Sequence, residues 1–230
     1  MTFAIDDCWR AIGRQFRQPA GLGGRLMGRV MELINREPNR AALTALEIEP
    51  TDVVAELGFG PGRAIEAMAE RVSQGRIFGV DPSAEMLALA ARRNRGPIAS
   101  GRVNLTQGLI WDLRLPPGSI DKILAVNVVY FLADDGGELR EAWRLLKPGG
   151  RIVVYATDKS AMRHWKFAGP DTHRLFGRDD LALALGRAGF DRDEIAIREV
   201  KIALGVVGLV ATATKPPQDD DREYALRGRR

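Results

Sequence analysis

The stretch "VVAELGFGPG", Val53 to Gly62, constrains the fold of this chain more than any other. An apolar, β-branched run meets an acid and then glycines at 58, 60 and 62. Ile65, Met68, Ala69 and Val72 follow at i, i+3, i+4 and i+7, which is one face of a helix. The pattern is a strand, a tight turn and a helix. At such a junction free backbone amides and the positive end of the helix dipole suit a negative or polar ligand group. A tight turn needing positive φ would also ask for glycine, so the loop does not name its ligand.

The rest of the chain repeats the alternation of short β-branched runs with helical patterns, as βαβ units and a parallel sheet do. "DVVAEL" (52–57) reads as the first strand and "RIFGV" (76–80) as the second. "PSAEMLALAARRN" reads as a helix with Pro82 in its first turn, and "GRVNLTQG" and "SIDKILAVNVVYF" as strands three and four. Leu139, Trp143 and Leu146 mark a further helix, which "KPGG" ends before strand five, "RIVVYAT". After an irregular stretch, 158–177, come the helix "RDDLALALGRAGF" and two strands, "DEIAIREVKIAL" and "GVVGLVATAT", joined tightly at Gly205 and so antiparallel. Ahead of the core, Leu22, Leu26, Val30 and Leu33 predict an amphipathic helix between Gly21 and Asn35. The expected organisation is a helical appendage over 1–48, one α/β domain over 49–214 and a disordered, proline-led tail over 215–230.

Several function classes are disfavoured. The net charge of +4 comes from scattered basic residues, which gives little support to a nucleic-acid partner. Cys8 is the only cysteine and there are two histidines, so no disulfide framework or structural zinc site is expected, and no metal. No apolar run has the length of a signal peptide or membrane span, which predicts a soluble, cytoplasmic protein without stable membrane insertion. Monomer and homodimer both stay open.

The ligand is narrowed by detail. Asp81 ends the second strand 19 residues beyond Gly62, where a carboxylate can accept from both hydroxyls of a ribose. The loop is G-F-G-P-G, not the dinucleotide G-x-G-x-x-G, whose sixth position is Arg63 here. Glu56 would repel a pyrophosphate but could hold an ammonium group. These points favour a ligand with an amino acid end and a nucleoside end.

"VVAELGFGPG", "GVDPSAEML", "LPPGSIDKILAVNVVYFL" and "RLLKPGGRIVVY" together resemble the motif series of class I S-adenosylmethionine-dependent methyltransferases, particularly the ubiquinone and menaquinone C-methyltransferase group. The resemblance covers roughly 51–157, with a looser fit beyond. It implies a Rossmann-like seven-stranded sheet of order 3-2-1-4-5-7-6 with strand seven antiparallel and helices on both faces. It implies S-adenosylmethionine as cofactor, with Glu56, Gly58, Phe59, Gly60 and Gly62 around the methionyl end, Asp81 on the ribose, and Pro82 and Met86 against the adenine. Relatives carry Gly-Asp-Ala after strand three, the Asp accepting from the adenine amino group. This chain has Gly108-Leu109-Ile110, so Leu109 occupies the adenine position and that bond either falls to Asp112 or a backbone carbonyl or is absent.

The end of strand four should open onto the transferred methyl group. Asn127 there either caps the strand or takes part in the site, and Tyr130 and Phe131 either line an acceptor pocket or pack. Asn127-Val128-Val129 lacks the prolines of the Asn-Pro-Pro-Tyr motif, which disfavours methylation of planar nitrogens of bases or amides. Methyl transfer needs alignment more than a catalytic triad, and a base only if the acceptor carries a proton. His164 and His173 are the candidate bases; surface or packing roles compete. Trp165 lies in the irregular stretch where this superfamily places substrate-contacting elements, while Trp9, Phe16 and Arg17 belong to an N-terminal segment that would fold over the cofactor as a lid, form a dimer contact or simply pack.

The expected function is methyl transfer to a small, apolar or aromatic acceptor at oxygen, nitrogen or carbon. One rival is a lipid-amine methyltransferase approaching an anionic bilayer through Arg14, Arg17, Arg25 and Arg29. Another is a non-catalytic S-adenosylmethionine-binding regulatory module. A nicotinamide dehydrogenase and a nucleic-acid-modifying enzyme are more distant.

Overall fold

Strand β1, Val53–Leu57, is buried along almost its whole length because it lies in the middle of a sheet covered on both sides. In the computed structural model, which describes residues 2–217, it pairs in parallel with β2, Arg76–Asp81, and with β4, Ile120–Val126. Outside these lie β3, Val103–Gln107, beside β2 and β5, Leu146–Thr157, beside β4, both parallel. Strand β7, Val207–Thr214, runs antiparallel against β5, and β6, Ile195–Lys201, antiparallel against β7. The order is β3-β2-β1-β4-β5-β7-β6, as the motif series implied. It reverses between β1 and β4, which is where open α/β sheets bind ligands.

Alternation along the strands divides the core in two. Ala55, Leu57, Ile123, Ala125, Ile152 and Val154 face one layer, which includes α7, Gly137–Leu145, and α9, Arg178–Ala188. Val54, Ile77, Leu124, Val126 and Val153 face the other, with α4, Arg63–Arg71, and α5, Ala84–Arg93. Of the shorter helices, α6, Arg95–Ala99, leads into β3, and α8, Lys159–Met162, follows β5.

Three helices precede the sheet: α1, Thr2–Arg17; α2, Gly21–Ile34; and α3, Arg36–Leu46. The predicted helix 21–35 is α2. The expected boundary at 48 cuts across the packing, because Ala42, Leu43 and Leu46 of α3 are buried in the same cluster as Val54 and Leu124. Thus α3 is part of the domain core and also lies over the site together with α1 and α2.

Other boundaries shift by a few residues. Pro82 precedes α5 instead of standing in its first turn, and Ser83 caps the helix, its hydroxyl accepting from Met86 N–H at 3.2 Å. Leu146 begins β5 instead of ending a helix, since "KPGG" pairs with the chain's end: Gly149 N–H donates to Lys215 O, and Lys215 N–H to Gly150 O. Order therefore extends past Thr214, and the tail expected to be disordered lies, from residue 218, outside the described residues.

Candidate active site

Beyond the carboxyl ends of β1, β2 and β4 lies a cavity of about 720 Å³, roofed by residues of α1, α2 and α3. Its floor is the glycine loop. Gly58, Gly60 and Gly62 all have positive φ, +67°, +51° and +80°, yet they serve different ends. A Cβ on Gly58 would come 2.7 Å from the Val128 side chain, and one on Gly62 2.7 Å from Ala90. Those two are small because protein packs against them. Only at Gly60 does the Cβ direction open, toward Met31 at 3.7 Å on the cavity wall.

The loop is stitched to the second strand. Gly58 N–H donates to Val80 O at 2.8 Å, and Gly60 N–H to Asp81 Oδ2 at 2.9 Å, while Asp81 Oδ1 accepts Ser83 N–H at 2.9 Å. Asp81 is thereby fixed at 6% exposure with lone pairs left on both oxygens. Burial raises its pKa, and the two amides pull it back.

Beside it Glu56, 3% exposed, has an Oε2 with no hydrogen-bond partner. Burial, with the neighbouring Asp81 charge behind it, pushes the Glu56 carboxyl well above the usual range. An unpartnered buried carboxylate is costly by itself and is relieved by a cation. The residues therefore fit the ammonium and ribose ends of S-adenosylmethionine, one acid for each.

Farther along the wall, Asn127 sits at φ +54° at the end of β4. Its Nδ2 donates to Asn35 Oδ1 at 2.8 Å, and its Oδ1 accepts from Tyr130 O–H at 2.8 Å. Tyr130 Oη accepts from Thr157 N–H, and burial raises the phenol's pKa, so it stays a neutral hydroxyl. The α2–α3 junction is thus tied to the tip of β4 through side chains. Beyond this relay the wall is aromatic: Phe131 meets His173 edge-on at 4.7 Å, and Phe16 stacks on Phe167 at 4.8 Å, which stacks on Trp165 at 5.4 Å.

His173 is 5% exposed, and its Nδ1 lies 3.0 Å from Thr172 Oγ1. Burial, reinforced by the Arg17 charge, pushes its pKa down to about 4. That keeps the imidazole neutral at physiological pH and weakens its candidacy as a base. Arg174 lines the same region, its Nη1 donating to Asp134 at 2.8 Å.

Of the residues singled out from sequence, Glu56, Gly58, Phe59, Gly60, Asp81, Pro82, Met86, Leu109, Asn127, Phe16, Arg17, Tyr130, Phe131, Trp165 and His173 line one cavity. The others do not. Gly62 is the closed N-cap of α4. Asp112 turns back on its own loop to accept Leu109 N–H at 2.8 Å and does not line the cavity. His164 is exposed beside Arg163, and Trp9 is absent from the wall. Asn35, Thr157, Phe167 and Arg174 reach the wall without having been chosen. For Asn35 the break between two helical repeats was the one available signal.

A methyltransferase-domain family model matches residues 55–154. The uncharacterized methyltransferase YdaC of Bacillus subtilis is 32% identical over 191 residues, covering 83% of this chain and 98% of that protein. The chain belongs to the class I S-adenosylmethionine-dependent methyltransferases. The methyltransferase is also 30% identical over 122 residues to the ubiquinone/menaquinone biosynthesis C-methyltransferase UbiE of Geotalea daltonii, about half of each protein (53% and 52%). In fold it resembles a SAM-dependent methyltransferase from Thermotoga maritima, with a TM-score of 0.63 and 23% identity over 81% of this chain and 94% of that one. Its cofactor is S-adenosylmethionine. Among the described residues of the methyltransferase no helix is long and apolar enough to cross a membrane, and no group of three or more His, Cys, Asp or Glu could hold a metal ion.

Proposed function

We propose that this methyltransferase transfers a methyl group to a small planar acceptor, apolar or aromatic, held against the wall formed by Phe16, Tyr130, Phe131, Trp165, Phe167 and His173. One observation carries the reading: a single cavity joins a pair of buried acids at one end to this aromatic wall at the other. When bound, S-adenosylmethionine supplies an electrophilic methyl on a sulfonium. Glu56 holds the ammonium end, Asp81 the ribose hydroxyls, and Pro82, Met86 and Leu109 flank the base, whose amino group is left to backbone carbonyls.

Asn127, oriented by Asn35 and Tyr130, stands between the two ends and fixes the approach of the acceptor. The aromatic rings exclude water and align the nucleophile, which is most of what this transfer asks of a protein. A base with a pKa near 4 takes up a proton poorly, so His173 acts as a neutral hydrogen-bond acceptor and wall. This supports an acceptor whose nucleophile is already a free lone pair or an ionised oxygen. Arg17 and Arg174 would tolerate one anionic substituent.

The test is a calorimetric titration with S-adenosylhomocysteine, with NAD as control ligand and with Asp81→Ala, followed by an acceptor screen read by mass spectrometry. Micromolar affinity, about −8 kcal/mol, that the variant loses and NAD lacks is expected. Conversion of S-adenosylmethionine to S-adenosylhomocysteine with a planar acceptor would exclude a purely regulatory binding module. Binding without turnover on any planar acceptor would overturn the reading.

A further inference from the structure

Helix α2 is apolar on both of its faces. Gly28 lies against Met86 and Leu89, and Met31 lines the cavity. On the opposite side Leu26, Val30, Leu33 and Ile34 are 65%, 40%, 75% and 48% exposed. They account for four of the seven large hydrophobic residues exposed among those described, so the exposure is concentrated on one helix. At about 100° per residue they fall within a stripe about 100° wide. A buried helix would hide such a stripe, and a solvated one would not carry it.

The flank of the stripe is basic. Arg25 and Arg29, with Arg92 of α5, line a groove between α2 and α5, and none of the three has an ion-pair partner among the described residues. The acids of that groove are engaged elsewhere. Glu32 is held by Arg63 and by Arg93 at 2.8 Å, Glu66 by Arg93 at 3.5 Å, and Glu85 accepts Gly21 N–H at 2.7 Å. What remains on the outer face is apolar area bordered by free arginines. A second copy placed on it by a two-fold axis would bring the same arginines together with no carboxylate to pair them. A surface of acyl chains and phosphates complements both features.

We propose that the outer face of α2 docks reversibly on an anionic lipid bilayer, Leu26, Val30 and Leu33 entering the headgroup region while Arg25, Arg29 and Arg92 meet lipid phosphates. Ile34 belongs both to the stripe and to the cavity wall, so docking sets the mouth of the site at the membrane surface. An acceptor dissolved in lipid would then reach the aromatic wall without crossing water. That last step rests on the proposed function; the docking does not.

Flotation of the full chain with vesicles tests it, using phosphatidylcholine alone and phosphatidylcholine mixed with phosphatidylglycerol, at low and high salt. Binding is expected to the anionic vesicles and to weaken with salt. Replacing Arg25 or Arg29 by Gln should lower the partition constant about five-fold each, and Leu26→Ser or Leu33→Ser about ten-fold each. None of these residues lines the cavity, so S-adenosylhomocysteine binding and melting temperature serve as folding controls. Failure to bind anionic vesicles at low salt overturns the proposal, as does binding that survives in Leu26→Ser/Leu33→Ser. Sedimentation showing a dimer that this double variant converts to monomer also overturns it, assigning the stripe to a second copy.

Discussion

Replacing Glu56 by Gln should make the protein more stable and worse at holding its cofactor. The carboxylate is 3% exposed, one oxygen has no partner, and Asp81 repels it. A raised carboxyl pKa means that the folded state binds a proton more readily than the unfolded chain, so stability falls as the pH rises and Glu56 ionises. Glutamine keeps the shape and removes the charge. Relief of desolvation and repulsion should stabilise the cofactor-free protein by about 1–3 kcal/mol near neutral pH, roughly 2–12 °C in melting temperature for a chain of this size.

The same change deletes a charge-assisted hydrogen bond to an ammonium group, worth about 1.5–3 kcal/mol, so affinity for S-adenosylhomocysteine should fall about 10- to 150-fold. Differential scanning calorimetry without ligand and isothermal titration with it measure both effects on one preparation. Wild-type stability should drop relative to the variant as pH rises through the Glu56 titration, and the difference should shrink in acid. A variant that melts lower than wild type and binds S-adenosylhomocysteine equally well would refute the reasoning and make Glu56 a structural residue.

The two kinds of glycine separate in the same assays. Gly62→Ala puts a Cβ 2.7 Å from Ala90 at φ +80° and should cost about 3 kcal/mol or more, whereas Gly60→Ala meets only Met31 at 3.7 Å, costing about 1–2 kcal/mol in backbone strain but weakening S-adenosylhomocysteine binding about ten-fold or more. Comparable losses of both stability and binding in the two variants would contradict this division. His173, depressed to about 4, leaves the folded protein without a proton that the unfolded chain takes up near pH 6.5, so its contribution is intact above that pH and fades as pH falls toward 4, by up to about 3 kcal/mol. In urea titrations across that range His173→Phe should flatten the acid loss relative to wild type; parallel curves would place the acid sensitivity elsewhere. Asn35→Ala leaves the Asn127 amide without its partner and should destabilise by about 1–2 kcal/mol, with looser cofactor binding and faster proteolysis of α2. Unchanged proteolysis would show that the relay does not pin the roof.

Much of the cavity end built by the glycine loop, Glu56 and Asp81 was legible because it is local. The run Val53–Gly62 encodes a strand, an acid and a turn within ten positions, and Asp81 is placed by being the last residue of the neighbouring strand. Strand order was implied by the family resemblance that four motifs in register carry. The acceptor end was less legible. Asn35 and Asn127 are 92 residues apart, and His173 differs from His164 only in what packs around it. Asp112 illustrates the same limit, since only the fold shows that its carboxylate accepts the Leu109 amide beside it and lies off the cavity wall.

Periodicity and turn chemistry report what a residue does to its own backbone, and they determined the strands, the helices and the glycine loop of this methyltransferase, while the strand order came from the resemblance of its motifs. Whether a glycine is small for protein or for ligand was decided only in three dimensions. So were the packing of α3 into the core and the apolar, basic face that α2 turns outward. Each of these depends on which distant side chain arrives at the surface, and pairwise distance across the fold is not written in spacing along the chain.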